Sequence, residues 1–290
     1  MKLKLTLALL LLALPIQATW RIAQETGRYG TTQTSLNAPS GITGDSFYLY
    51  VADSGNNRIL RLDQDLRVID QFQRLPDRLF NLDHPTGLAL LNRQLLVTDT
   101  HNNRIITYTY EGVYLKSSGQ LGISAGDYDH PQGITLDAYG RRYSCDTGNH
   151  RVQVFDSTGV FLFEFGQWGS EKERLYFPKD VVVLPDQSIV VADESDTKLK
   201  CYTPYGVFQK AFSTAPEAQN LVGPQALFLN TDGTLWVADK PGRALLQFQT
   251  SGDYLQTVAI PGEPSDLFGW GSVLFVTDSL NNKVLKLINQ

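Results

Sequence analysis

The 290-residue chain holds two cysteines and four histidines, and other chemical signatures are missing altogether. There is no Gly-X-Ser-X-Gly elbow and no Gly-rich phosphate loop, so the sequence offers neither a recognisable serine nucleophile nor a nucleotide cradle. No run of Lys and Arg offsets the net charge of −5, and an acidic chain without a basic face repels a phosphate backbone. Nucleic acid is therefore not an expected partner. Beyond the first 18 residues no segment sustains a 3.6-residue apolar period, which argues against a helical body. No Asn-X-Ser/Thr acceptor occurs. Hydrophobic residues at 42% and aromatics at 11% are nonetheless ample for a packed core.

The first residues read as an address. Two lysines within Met1 to Lys4 precede an almost wholly apolar run from Leu5 to Leu14, and Pro15 to Ala18 end on a small residue. This layout predicts a secretory signal peptide over 1–18, cut after Ala18, and a mature chain of 19–290 that is secreted or periplasmic. The apolar run is about ten residues, roughly half the length of a membrane-spanning helix. No transmembrane segment is expected in the mature chain, and with no Cys after the cleavage point no lipid anchor is expected there.

What the chain has in abundance is repetition. Pro39, Pro85, Pro131, Pro178, Pro224 and Pro264 are each followed 14 or 15 residues later by an Asp: Asp53, Asp99, Asp146, Asp193, Asp239 and Asp278. The aspartates lie 46, 47, 47, 46 and 39 residues apart, a period that marks a repeat architecture. Within residues 131–165, Ile134–Leu136, Arg142–Cys145, Val152–Phe155 and Val160–Phe165 read as four short strands separated by Asp, Gly and Asn turns. Six such units predict an all-β, six-bladed β-propeller of four-stranded antiparallel blades, which shields its own strand edges. The last unit stops after its third strand, so Trp20–Thr26 is expected to complete that blade and close the ring. A monomer is expected.

The loops after the aspartates read DSGNNRI (53–59), DTHNNRI (99–105), DTGNHRV (146–152), DESDTKL (193–199) and DSLNNKV (278–284); the fifth, DKPGRAL (239–245), reads as one residue shorter. In these loops, and in the Gly-Val-Tyr/Phe starts at 112–114, 159–161 and 206–208, the chain resembles the NHL repeat family. The resemblance covers essentially all of 19–290 and implies the propeller fold, but a fold does not fix a function. Pairing each Asp with the following base is expected to be framework: Asp53/Arg58, Asp99/Arg104, Asp146/Arg151, Asp193/Lys198, Asp239/Arg243 and Asp278/Lys283.

Function is then sought in what varies. The inter-blade connections and the loops between second and third strands are expected on one face, which would carry His101, Asn102, Asn149 and His150 together with Trp168, Arg174 and Tyr176. This face is read as the surface of a rigid, non-catalytic platform for a protein, peptide or glycan partner, with no cofactor. The alternative is a divalent-metal hydrolase or lyase working in the central channel with calcium or zinc. The resemblance implies that related lyases place zinc-binding histidines directly after the repeat Pro. Here those positions are Ser40, Thr86, Gln132, Lys179, Gln225 and Ser265, so the zinc pattern is absent. Two other metal candidates are His84 with His130, beside Asp83 or Asp129, and Asp180 with Asp266, whose carboxylates suit calcium. Cys145 and Cys201 fall on strands at different radii and are expected as separate buried thiols.

Overall fold

A computed structural model describes residues 19–73, 81–167, 173–194, 197–213 and 221–290; the expected signal peptide and Trp168 lie outside these. Among the described residues, six separate four-stranded antiparallel sheets make a six-bladed propeller, as the repeat predicts. Blades 1 to 5 span 39–72, 85–118, 131–166, 178–212 and 224–259, and blade 6 comprises 264–289 plus 20–26. Their innermost strands (Pro39–Gly44, Pro85–Leu91, Pro131–Leu136, Pro178–Val183, Pro224–Leu229 and Pro264–Trp270) touch in cyclic order around a central channel.

The Pro-to-Asp spacing is a strand register. Every repeat Pro begins an innermost strand and lies opposite the Asp that ends the second strand, from Pro39↔Asp53 to Pro264↔Asp278. A Pro lacks the N–H that a ladder needs, and a strand start is where that loss is tolerated. Second strands are buried beyond their first residue, and along their whole length in Leu49–Asp53 and Ile189–Asp193, because both faces meet neighbouring blades. Outermost strands such as Val68–Phe72 and Phe208–Phe212 instead keep their three central residues exposed. The apolar core therefore lies between blades. Val152, Tyr143 and Phe165 of blade 3 interleave with Val181, Ile189 and Tyr202 of blade 4. The ring closes by pairing Trp20–Thr26 with Lys283–Asn289, where Trp20 sets its ring edge-on to Trp236 of blade 5 at 5.2 Å.

Each repeat Asp is fully or almost fully buried and holds the incoming connection. Its carboxylate accepts a backbone N–H from one or two residues before the Pro: Asn37, Asp83, Asp129, Tyr176, Val222 and Glu263 in blades 1 to 6. In blades 1 to 3 the expected base completes the site, with Arg58, Arg104 and Arg151 each donating Nε–H at 2.7, 2.7 and 2.8 Å.

The other three blades depart from the expected pairs. Asp193 pairs with Lys200 at 2.9 Å, while Lys198 is exposed. Residues two apart on a strand share a face, so Lys200 reaches back where Lys198 starts the strand. Loop five is not shorter: Asp239 lies opposite Ala244 as Asp53 lies opposite Arg58. Arg243 therefore occupies the left-handed position of Asn57, with φ 52°, and Ala244 leaves Asp239 to backbone donors from Val222, Gly223 and Gly242. Lys283 turns to Glu25 on the closing strand, and Asp278 takes the Asn281 side chain instead.

Two substitutions separate these situations. Asp146→Ala leaves the Asp129 N–H, the Asn149 amide and the Arg151 Nε–H without their buried acceptor, while Glu164 still pairs Arg151, and should cost about 3–5 kcal/mol; Arg243→Ala should stay within about 0.5 kcal/mol of wild type. Urea midpoints measure both, and similar midpoints for the two variants contradict this account of the buried aspartate.

Candidate functional site

Connections and second-to-third-strand loops do share one face. Tight 3-10 turns at Ser54–Asn56, Thr100–Asn102 and Thr147–Asn149 follow the buried aspartates, and the N–H groups of Gly55, His101 and Gly148 donate to the connection carbonyls of Asn37, Asp83 and Asp129. The residue after each turn is left-handed: Asn57, Asn103 and His150, with φ of 54–57°. From there its side chain crosses to the next blade. Asn57 Oδ1 accepts the N–H of His84, Asn103 Oδ1 that of His130, His150 Nδ1 that of Phe177 and Asn282 Oδ1 that of Ala38. These four acceptors hold four residues that are themselves left-handed just before a Pro, an arrangement that needs support.

Much of the polar surface expected to bind a partner is thus engaged within the chain. Asn102 donates to Asp99 and to the Asn81 carbonyl, and Asn149 to Asp146 and to the Gly122 carbonyl. Arg174 is half-buried, and its carbonyl accepts from Lys200. What remains is aromatic. Tyr176 lies flat against His150, with 5.0 Å between ring centroids, and Phe177 sets its edge to both rings. Tyr176 is 39% and Phe177 36% exposed, so the cluster is fixed from below and open above. Phe177 is a member that the sequence reading did not single out. Leu121 and Ile123, both exposed, flank Gly122, whose carbonyl Asn149 holds.

The other three histidines gather at the seam of blades 2 and 3. His84 stacks parallel on His101 at 4.6 Å, and His130 stands edge-on to His101 at 5.9 Å. His101 Nδ1 lies 3.4 Å from Asp83, and His130 Nδ1 lies 2.5 Å from Asp129. Burial, and then the neighbouring His101, push the basicity of His84 down. His84 and His130 are thus brought near each other through His101, which the sequence reading had kept apart from them.

The central channel has a volume of about 310 Å³, with Ser40, Thr86, Gln132, Lys179, Gln225 and Ser265 on its wall. Gly41 and Gly87 let adjacent innermost strands approach closely: a Cβ there would stand 1.9 and 2.1 Å from the carbonyl oxygens of Thr86 and Gln132. Asp180 and Asp266 take the same slot in blades 4 and 6. Each accepts the next residue's N–H and reaches across a seam, Asp180 to the N–H of Leu227 and Asp266 to that of Ile42. Burial pushes Asp180 up to about 7, and burial with the Asp180 charge raises Asp266 well above the ordinary range. Among the described residues no group of three or more His, Cys, Asp or Glu converges to cage a metal ion. Lys179 pairs with Glu194 at 3.0 Å. Cys145 and Cys201 are both free and buried in different inter-blade clusters, and burial pushes the Cys145 thiol well up.

Comparison with known proteins agrees with this architecture. The NHL repeat family model matches residues 82–108, a stretch containing the Pro85–Asp99 register and the Arg104 pair. Protein brain tumor from Drosophila melanogaster is 29% identical over 139 residues, which is 47% of this chain and 13% of that protein. The human E3 ubiquitin-protein ligase NHLRC1 is 33% identical over 67 residues, 23% of this chain and 17% of that protein. The chain thus matches only a small part of either relative. Among solved structures, virginiamycin B lyase from Staphylococcus aureus superposes with a TM-score of 0.65 at 16% identity, covering 93% of this chain and 99% of the lyase. A candidate gluconolactonase gives 0.70 at 14% identity, covering 95% and 93%. The chain is a six-bladed β-propeller that carries a match to the NHL repeat at residues 82–108; the likenesses to the enzyme structures show the fold alone.

The channel carboxylates set a pH dependence. Their folded-state pKa lies above the unfolded value, so their contribution is complete under acid conditions and is lost as pH rises through about 7. Wild-type Tm should fall as pH rises from about 4 to about 7, and Asp266→Asn should flatten that fall by removing one member of the pair. Equal slopes in both proteins contradict the coupling.

Proposed function

We propose that the chain is an exported binding platform that recognises a protein or peptide through its loop face, contributing rigidity and no chemistry of its own. The observation that carries this reading is the His150–Tyr176–Phe177 cluster. Its three rings are locked to one another and to blade 4, yet two of them stay more than a third exposed. Aromatic side chains with few rotatable bonds bind at low entropic cost, and they are enriched where interfaces concentrate their energy. The carboxylates of the channel, by contrast, already accept two backbone N–H groups each. A relative named as an E3 ubiquitin-protein ligase, an activity directed at proteins, fits the same reading. Export rests on the charged, apolar and small-residue layout of residues 1–18.

The lyase and the candidate gluconolactonase among the similar folds keep one second reading in view, a metal-dependent reaction in the channel with Asp180 and Asp266 as ligands. Its test is metal content: Asp180→Asn with Asp266→Asn should then lose bound metal, whereas under the platform reading the variant differs from wild type only in stability.

For the platform itself, Tyr176→Ala is the probe. Wild type and variant, immobilised and exposed to the exported fraction of the host, should differ in one or a few captured proteins. Their Tm values should agree within about 3 °C. Identical capture by both proteins contradicts a role for this cluster.

A further inference from the structure

We infer that the central channel binds a small neutral polyhydroxylated molecule, a monosaccharide or a polyol, between the side-chain amides of Gln132 and Gln225. The first residue after each repeat Pro lines one cavity of about 310 Å³, but these side chains are not equally committed. Ser40 bonds to Ser54 Oγ at 2.6 Å, Thr86 to the hydroxyls of Thr98 and Thr100, and Lys179 pairs with Glu194 at 3.0 Å. Gln132 and Gln225 are half-buried in the wall, and among the described residues no hydrogen bond engages either side-chain amide. Each amide brings two N–H donors and two carbonyl lone pairs. Polar groups this enclosed are ordinarily satisfied, so water or a ligand must complete them.

The backbone sets the two glutamines at one height. A Cβ on Gly87 would stand 2.1 Å from the Gln132 carbonyl oxygen, and one on Gly133 would stand 2.6 Å from that of Lys179, so successive innermost strands meet at this level. Asp180 carries the contact on to blade 5 by accepting the Leu227 N–H at 2.8 Å. Gln132 and Gln225 are therefore a third of a turn apart around the ring, with Lys179 between them. A hydroxyl group both donates and accepts, as a primary amide does, so a molecule with several hydroxyls can satisfy both glutamines at once.

Charge and shape narrow the class. Lys179 has Glu194 as its counter-ion, and on the connections nearby Lys240 has Glu263 at 3.9 Å. Asp180 and Asp266 each accept two backbone N–H groups, and burial favours their neutral form. An ionic ligand would have to displace one of these partners, whereas a neutral one leaves them in place. Further along the strands, Thr135 adds a half-buried hydroxyl to the same wall, and Phe228 and Phe268, edge to face at 5.5 Å, add apolar surface. Amides and a hydroxyl beside aromatic rings match a sugar, which has hydroxyls at its edge and C–H groups on its faces. The volume lies at the lower end of the range for small-molecule sites, the size suited to a single ring. The site is separate from the His150–Tyr176–Phe177 cluster and needs no metal.

Saturation-transfer NMR of the mature protein with glucose, galactose, mannose and myo-inositol, all in EDTA, tests the site. At least one should receive saturation from the protein. Gln132→Leu and Gln225→Leu, which keep the size and remove the amide, should each weaken that binding by about tenfold. Their Tm should stay within about 3 °C of wild type, because neither amide has a partner in the chain to lose. Glucuronate, a hexose ring with a carboxylate, should bind no more tightly than glucose. Absence of transfer to all four compounds overturns the site, as does wild-type affinity in both leucine variants. Tighter binding of glucuronate overturns the neutral class, and binding seen only when EDTA is left out gives the channel to a metal instead.

Discussion

Everything in this propeller hangs on a carboxylate buried at the end of each second strand. A blade alone exposes two apolar faces and cannot be stable, so the ring depends on how each connection enters the next sheet. The buried Asp solves that locally. It faces the Pro that starts the innermost strand and accepts the N–H of the connection just before that Pro. What neutralises it varies: a guanidinium in blades 1 to 3, an ammonium from the third strand in blade 4, and uncharged donors in blades 5 and 6. The constant element is the backbone hydrogen bond, and the salt bridge is one of several ways to complete it. Leaving such a carboxylate without donors costs far more than any exposed pair contributes.

From this hub a second layer follows. The turn after each buried Asp is short and ends in a left-handed residue, and in four places that residue's side chain holds the next blade's connection. The loop face is therefore stitched from blade to blade, and few of its polar groups are left for other work. The side chains still open upward are aromatic and imidazole: the His150–Tyr176–Phe177 cluster over blades 3 and 4, and the three remaining histidines over blades 2 and 3. Both sit on anchored backbone, the condition under which a loop can bind with little loss of entropy.

The fold was readable because its signals are one-dimensional. Pro and Asp recur at a fixed distance since they lie opposite each other in one hairpin, and the closing strand showed as a blade short by one strand. The site was less readable because its contacts cross blades. Asn57 and His84 are 27 residues apart, and nothing in the string DSGNNRI announces that its second Asn reaches the next repeat. Lys198 was assigned to Asp193 by counting along a loop, whereas strand geometry gives that place to Lys200. Arg243 was aligned by charge, and the ladder aligns Ala244. His84 and His130 were recognisable as equivalent positions, but His101 joins them only because its loop folds back over its own blade's connection. Trp168 lies outside the described residues, so the aromatic cluster is defined by Tyr176 and its neighbours.

The most direct test of the buried carboxylate as hub is native-state hydrogen exchange of the six amides that donate to it, those of Asn37, Asp83, Asp129, Tyr176, Val222 and Glu263. They lie in connections at the surface, where amides ordinarily exchange quickly. The account predicts protection close to that of the buried second strands, with exchange only through global opening. Exchange at the rate of the outermost strands would contradict it.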